Sequence, residues 1–269
     1  MLACSTEYGD LLIGKSTDGG RTFGAPVTLL RGSNGKNGNV GVHKNPQNIM
    51  IHNGRIYETL EWGSWANQEY CHAAMVMSCD ENADLLNPEN WHFTPPQKFD
   101  HFVPELAEVP KNNQTIEGTL VVTPEGKLLN VMRFLPGKVL AYEVNTGDPD
   151  APLTFHSLID LPTTTSKFSI KQDPVTGWYY SIICRLREGA GRRNLLSLVK
   201  SEDLKRWDVV CDLLDYSHCS PDEVGFQYVD FEMEGDDMIW LCRTALNNAH
   251  NFHDANYSTF HRIRNFRKL

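Results

Sequence analysis

The octet STDGGRTF, Ser16–Phe23, is the most patterned stretch of this 269-residue chain. Ser16 and Asp18 carry side chains suited to hydrogen-bonding within their own turn, Gly19 and Gly20 supply backbone angles that other residues avoid, and Phe23 is expected to pack between strands. Two looser copies follow, SCDENADLLNPENW from Ser78 and SEDLKRW from Ser201. The serines stand 62 and then 123 residues apart, one period and two, so a further unit is expected near residue 140, where KVLAYEV reads as a short strand.

Four hairpins repeat on the same scale. NGRIYETLE ends at Glu61, EGKLLNVMR at Arg133, TGWYYSIICR at Arg185 and EGDDMIWLCR at Arg243, each with a charge seven or eight residues after its turn glycine. Elsewhere, segments rich in Val, Ile, Tyr, Trp and Phe alternate with Gly, Asn, Asp and Pro, and a helical period never persists; the best candidate for a helical turn is NADLLNPENW, Asn82–Trp91. Repeats of this length with about four short strands each predict an all-β fold, a β-propeller. Five blades are visible, at about residues 1–31, 48–97, 118–160, 168–214 and 226–269, in one domain spanning 1–269. In such a blade the serine boxes fall between the third and fourth strands, and the hairpin charges emerge at the end of the second strand, around the central channel.

Composition narrows the partners. Hydrophobic residues make up 41% and charged residues 22%, and the formal net charge of −9 argues against nucleic acid or an acidic membrane surface. No run is long and apolar enough for a transmembrane helix, and the N-terminus lacks signal-peptide character. Seven scattered cysteines without a CxxC pair read as reduced thiols. That places the chain in the cytoplasm if Met1 is its true start, and in the periplasm or outside the cell if a segment precedes it. Phosphate-loop, dinucleotide, zincin and serine-hydrolase motifs are absent from the sequence, so no cofactor and no metal is expected.

The octet also resembles the Asp box, S-x-D-x-G-x-T-[W/F], of the sialidase or neuraminidase superfamily, with Ser16, Asp18, Gly20, Thr22 and Phe23 at its defining positions. IEGTLVVTPEGKLLNVMR, KFSIKQDPVTGWYYSII, GFQYVDFEMEGDD and HDANYSTFHRIRNFR are similar to the body of sialidase-like, BNR-repeat propellers. The resemblance runs from about residue 10 to the C-terminus. It implies a six-bladed family fold, here shortened at its N-terminus, and a carbohydrate-active enzyme. Counterparts of the family's early arginine and its aspartate acid are not found.

Candidate site residues follow from blade position and chemistry. Arg133, Arg185 and Arg243 are expected to converge as rigid donor forks for a carboxylate, with Glu61 near them. His43, Lys44, Glu117, Lys167, Gln227, Tyr228 and Asp230 stand where first strands begin. The resemblance implies a tyrosine nucleophile polarised by a glutamate, a role for Tyr228 with Glu117, while Asp230 or Glu61 suits the acid. In HNFHDANY, His253 suits proton transfer, and His250, Asp254 and Asn256 suit sugar hydroxyls better than a metal. Trp62 and Trp65 suit stacking on a sugar ring. RLREGAGRR, Arg185–Arg193, reads as a flexible, positively charged loop whose Arg187, Arg192 and Arg193 are taken as solvated.

The expected function is a sialidase-like glycoside hydrolase, an exo-acting glycosidase, with an anionic glycan as partner, sialic or uronic. Two alternatives stand beside it: a non-catalytic glycan-binding propeller, and a polysaccharide lyase using Tyr228, His253 or His43 in β-elimination.

Overall fold

The computed structural model of the chain describes residues 1–5, 8–33, 36, 38–67, 69–111 and 113–269, and within them every element longer than a single turn is a β-strand. The first sheet has three strands, β1 (Leu2–Cys4), β2 (Leu11–Ile13) and β3 (Val27–Leu30). The second holds β4 (Gly41–His43), β5 (Met50–His52), β6 (Arg55–Gly63), β7 (Ala73–Asp80) and β8 (His92–Phe93), where β4 and β5 pair with successive parts of β6. The third runs in order through β9 (Ile116–Val122), β10 (Leu128–Leu135), β11 (Lys138–Glu143) and β12 (Thr154–Asp160). The fourth comprises β13 (Ile170–Gln172), β14 (Tyr179–Cys184), β15 (Leu195–Ser201) and β16 (Asp208–Asp215), and the fifth β17 (Gly225–Glu234), β18 (Asp237–Ala245) and β19 (Tyr257–Ile263). The fold is the all-β propeller fold that the repeats predict, with the described strands arranged in five sheets.

Period-two alternation sets the strands. In β18, Met238, Trp240 and Cys242 are buried while Leu241 and Arg243 are exposed, which leaves one face of the sheet for the core. The second sheet starts at β4, ahead of the expected boundary at residue 48, because Gly41–His43 pairs with Glu61–Gly63. Asn82–Trp91 contains one 3-10 turn, Pro88–Asn90, and KVLAYE forms β11.

Contacts group the chain into two compact units. The first holds residues 1–122, 126–132 and 141–156, the second 123–125, 133–140 and 157–269. The first is centred on Leu11, Val42, Leu60, Met75, Met77 and Cys79, and the second on Ile182, Leu196, Leu198, Phe226, Phe231 and Trp240. All seven cysteines are free thiols, and among the described residues no helix is long and apolar enough to cross a membrane.

The octet closes the turn between β2 and β3. Ser16 Oγ donates to Asp18 Oδ1 (2.7 Å) and accepts from the Gly20 amide (2.8 Å), while Asp18 takes the amides of Arg21 (3.0 Å) and Thr22 (2.9 Å) and the Thr22 hydroxyl (2.6 Å). These donors, the Thr22 hydroxyl foremost, lower the Asp18 carboxyl to about 2. Gly19 and Gly20 take φ of 73° and 83°. In the copies, between β7 and β8 and between β15 and β16, an aspartate likewise caps its own turn, though with other amides: Asp80 accepts the Asn82 amide, and Asp203 the Lys205 and Arg206 amides. Phe23 departs from expectation: it is 43% exposed and lies near Gly14 instead of packing between strands.

Candidate functional site

The four hairpin charges all sit on or directly after the second strand of their sheets, but they do not share a face. Glu61 and Arg133 stand seven residues after their turn glycines, Arg185 and Arg243 eight. Side chains alternate across a strand, so one extra residue reverses the direction. The seventh residue in the last two hairpins is Cys184 and Cys242, and Glu61, Arg133, Cys184 and Cys242 are all buried.

In the first unit, β4 and β6 place His43 opposite Glu61. His43 Nδ1 lies 2.7 Å from Glu61 Oε2, Asn45 Nδ2 donates to Oε1 (3.1 Å), and the Glu117 amide donates to Oε1 (2.8 Å). Burial would push the fully enclosed Glu61 carboxyl up, but the His43 hydrogen bond, with charge on His43, His72 and Lys44, holds it below its ordinary value. Glu117 turns its amide to Glu61 by adopting φ 56°, a strained value for this residue type, and its carbonyl accepts from Gln47 Nε2 (3.4 Å). Strain of this kind concentrates at functional positions. Lys44 makes its ion pair with the buried Glu58, at 3.0 Å, and the Glu58 carboxyl rises to about 7 through burial, partly opposed by Lys44. His72 completes the centre, its ring 4.9 Å from that of His43 and 4.4 Å from Trp65. Trp62 is partly buried and packs against the core of this unit.

In the second unit, Arg185 leaves the expected cluster: its Nη1 binds Asp212 Oδ1 (2.7 Å) on β16. Arg243 lies on the exposed face of β18, its guanidinium 5.1 Å above the Tyr228 ring and its Nη2 donating to the His253 carbonyl (3.1 Å). Tyr228 sits in a bulge of β17 at φ 54°. Gln227 is buried, with Nε2 donating to the same His253 carbonyl. Lys167 is also buried.

Other candidates lie outside these buried groups. Asp230 is half-exposed and pairs with Lys171 (3.3 Å), so it stands apart from the buried groups. The His253 ring is exposed, 3.4 Å from Asp254, and Asp254 binds His250 at 2.6 Å. Asn256 pins its loop by two bonds with the Leu246 backbone, 3.1 and 2.6 Å. Among the described residues no group of three or more His, Cys, Asp or Glu is arranged to hold a metal. The expected couple of Glu117 with Tyr228 takes one residue from each unit.

The residue that sequence reasoning missed is Arg193. It is 5% exposed, and among the described residues its Nε and Nη1 have no hydrogen-bond partner. Its carbonyl accepts the Phe226 amide (2.8 Å), and its guanidinium lies 5.5 Å from the Phe252 ring. Burial is the main cause of a pKa below the usual arginine range; the nearby Arg192 and Arg133 lower it further, against Cys184 and Tyr228. The position of Arg193 two residues before the buried start of β15, in RRNLL, is the one signal that separated it from its solvated neighbours.

No protein-family model matches the sequence, and no curated protein matches it. Solved structures do resemble the fold. An exo-1,5-alpha-L-arabinanase from a bovine ruminal metagenomic library has TM-score 0.53 at 12% identity over 96% of this chain and 87% of its own. An alpha-L-arabinanase of Penicillium chrysogenum, complexed with arabinobiose, gives TM-score 0.55 at 12% identity, over 100% and 71%. The intramolecular trans-sialidase of Ruminococcus gnavus, complexed with oseltamivir carboxylate, gives 0.55 at 15% identity over 95% of this chain and half of that one. At such identities the likeness is one of fold, and this chain shares its fold with enzymes that act on glycans.

Proposed function

We propose that the protein is a glycoside hydrolase acting on a glycan with a carboxylate-bearing sugar, sialic or uronic. The observation that carries the reading is Arg193, a buried guanidinium near two other arginines with donors left unpaired. Burying an ionised group without a counter-charge costs several kcal/mol, roughly the return that a ligand carboxylate would give through paired, charge-assisted hydrogen bonds. Three guanidiniums together favour an anion, a local positive charge on a chain that is −9 overall.

In this reading Arg193, with Arg133 and Arg192, holds the substrate carboxylate. Tyr228 is the nucleophile: in a sialic acid, whose anomeric carbon carries the carboxylate, a neutral phenol approaches with less repulsion than a second carboxylate would. Arg243, in contact with both the Tyr228 ring and the His253 backbone, positions the pair, and His253 carries the proton. The similarity in fold to arabinanases and a trans-sialidase supports glycan chemistry without naming the sugar.

The test is product analysis by mass spectrometry after incubation with sialyllactose and with oligogalacturonides. Hydrolysis adds one water per bond broken, and Arg193→Met should lower kcat/KM by about 100-fold or more. An unsaturated, ultraviolet-absorbing product would assign elimination instead. Binding without turnover would leave a glycan-binding propeller.

A further inference from the structure

The loop Arg185–Arg193 is pinned rather than flexible. Arg187 binds Asp212 (3.0 Å), Asp215 (2.8 Å) and the Ser217 hydroxyl (2.8 Å). The Gly191 amide donates to Asn194 Oδ1 (2.8 Å), the Thr164 hydroxyl to the Arg192 carbonyl (2.7 Å), and Arg192 Nη2 to the Thr165 carbonyl (3.2 Å). Held in this way, the loop lines a cleft of about 410 Å³ in the second unit together with Pro136, Thr164 and Thr165.

The lining of this cleft is unlike its surroundings. Leu186, 48% exposed, stands with Pro136 and Ala190 as an apolar surface inside a run otherwise rich in arginine and glycine. The Arg187 charge is already matched by Asp212 and Asp215. Arg192 lines the cleft and also acts electrostatically on Arg193, so one side chain links the cleft rim to the buried arginine centre. Its volume falls within the range of about 300–1,000 Å³ typical of small-molecule sites.

We infer that this cleft is a second sugar subsite, which binds the next residue of an acidic glycan whose carboxylate sugar occupies the Arg193 centre. A pyranose has an apolar C–H face that matches Leu186, Pro136 and Ala190, and a polar edge that matches the Thr164 and Thr165 rim. Because the second sugar is tethered to the first, even weak contacts there raise affinity for the chain. The preferred substrate is therefore an oligosaccharide rather than a single acidic sugar. This rests on the reading of Arg193 given above.

The test is calorimetric titration of the full chain with two pairs of probes: galacturonic acid against trigalacturonic acid, and N-acetylneuraminic acid against sialyllactose. In the pair that binds, the longer glycan should bind about tenfold tighter than the monosaccharide. Leu186→Glu, and more mildly Leu186→Ala, should remove that advantage while leaving monosaccharide affinity within about twofold, with unchanged melting temperature as the check on folding. Equal affinity of the wild type for short and long ligands, or an equal loss of both in the Leu186 variants, overturns the subsite alone. Failure of every probe to bind, or binding that Arg193→Met leaves unchanged, overturns the arginine centre and the subsite with it.

Discussion

His43 Nδ1 lies 2.7 Å from Glu61 Oε2, across the β4–β6 ladder, and this pair holds a carboxylate ionised where no solvent reaches it. His43→Ala leaves Glu61 with Asn45 and backbone amides only, and should cost about 2–4 kcal/mol in denaturant unfolding near neutral pH. Glu61 lies below its ordinary 4.5, so its contribution is present above that pH and is lost as pH falls through the folded value. The gap between variant and wild type should accordingly narrow in acid.

Glu58 has the opposite sign. Its carboxyl, raised by burial from 4.5 to about 7, binds its proton more tightly in the folded than in the unfolded state. Stability should therefore fall as pH rises from about 4.5 to 7, by at most about 3 kcal/mol from this group. Glu58→Gln flattens that part of the stability profile, and Lys44→Met, by removing the paired cation, steepens it.

Two arginines eight residues apart in the sequence should behave oppositely when replaced by methionine. Arg185→Met removes a partly exposed ion pair with Asp212, costs less than about 1 kcal/mol and leaves glycan affinity unchanged. Arg193→Met exchanges a buried, under-satisfied charge for an apolar chain, and should raise the ligand-free stability by about 1–2 kcal/mol while abolishing binding. Thermal melts with and without glycan measure both.

The C-terminus is fastened by Arg267, whose Nη2 and Nε grip the two oxygens of the fully buried Asp173 at 2.7 and 2.8 Å. Arg267→Ala should destabilise the second unit by about 3–5 kcal/mol, and Arg267→Lys should recover only part of this because an ammonium cannot reproduce the fork. The Arg267 hydrogen bond, first among its causes, lowers Asp173 from 3.8 to about 2, so this stability is present above pH 3.8 and fades as pH falls toward 2. Urea midpoints across that range are the check.

Local patterns carried far in this chain. Asp18, Asp80 and Asp203 cap their own turns within four residues, so these turns were visible from spacing alone. Second strands were equally visible, because glycine turns and β-branched or aromatic runs mark them directly. Phe23 and Trp62 were not, since whether an aromatic is covered depends on neighbours brought from elsewhere in the chain.

The repeats, the all-β class and the presence of a charge or thiol at each second-strand end were determined by the sequence itself, through short-range periodicity. The tertiary structure alone decided direction and company. A step of eight instead of seven turns Arg185 and Arg243 outward and puts Cys184 and Cys242 in the buried row with Glu61 and Arg133. It also encloses Arg193, which in sequence is one more charge in RLREGAGRR, because burial is set by strands distant in the chain closing over it.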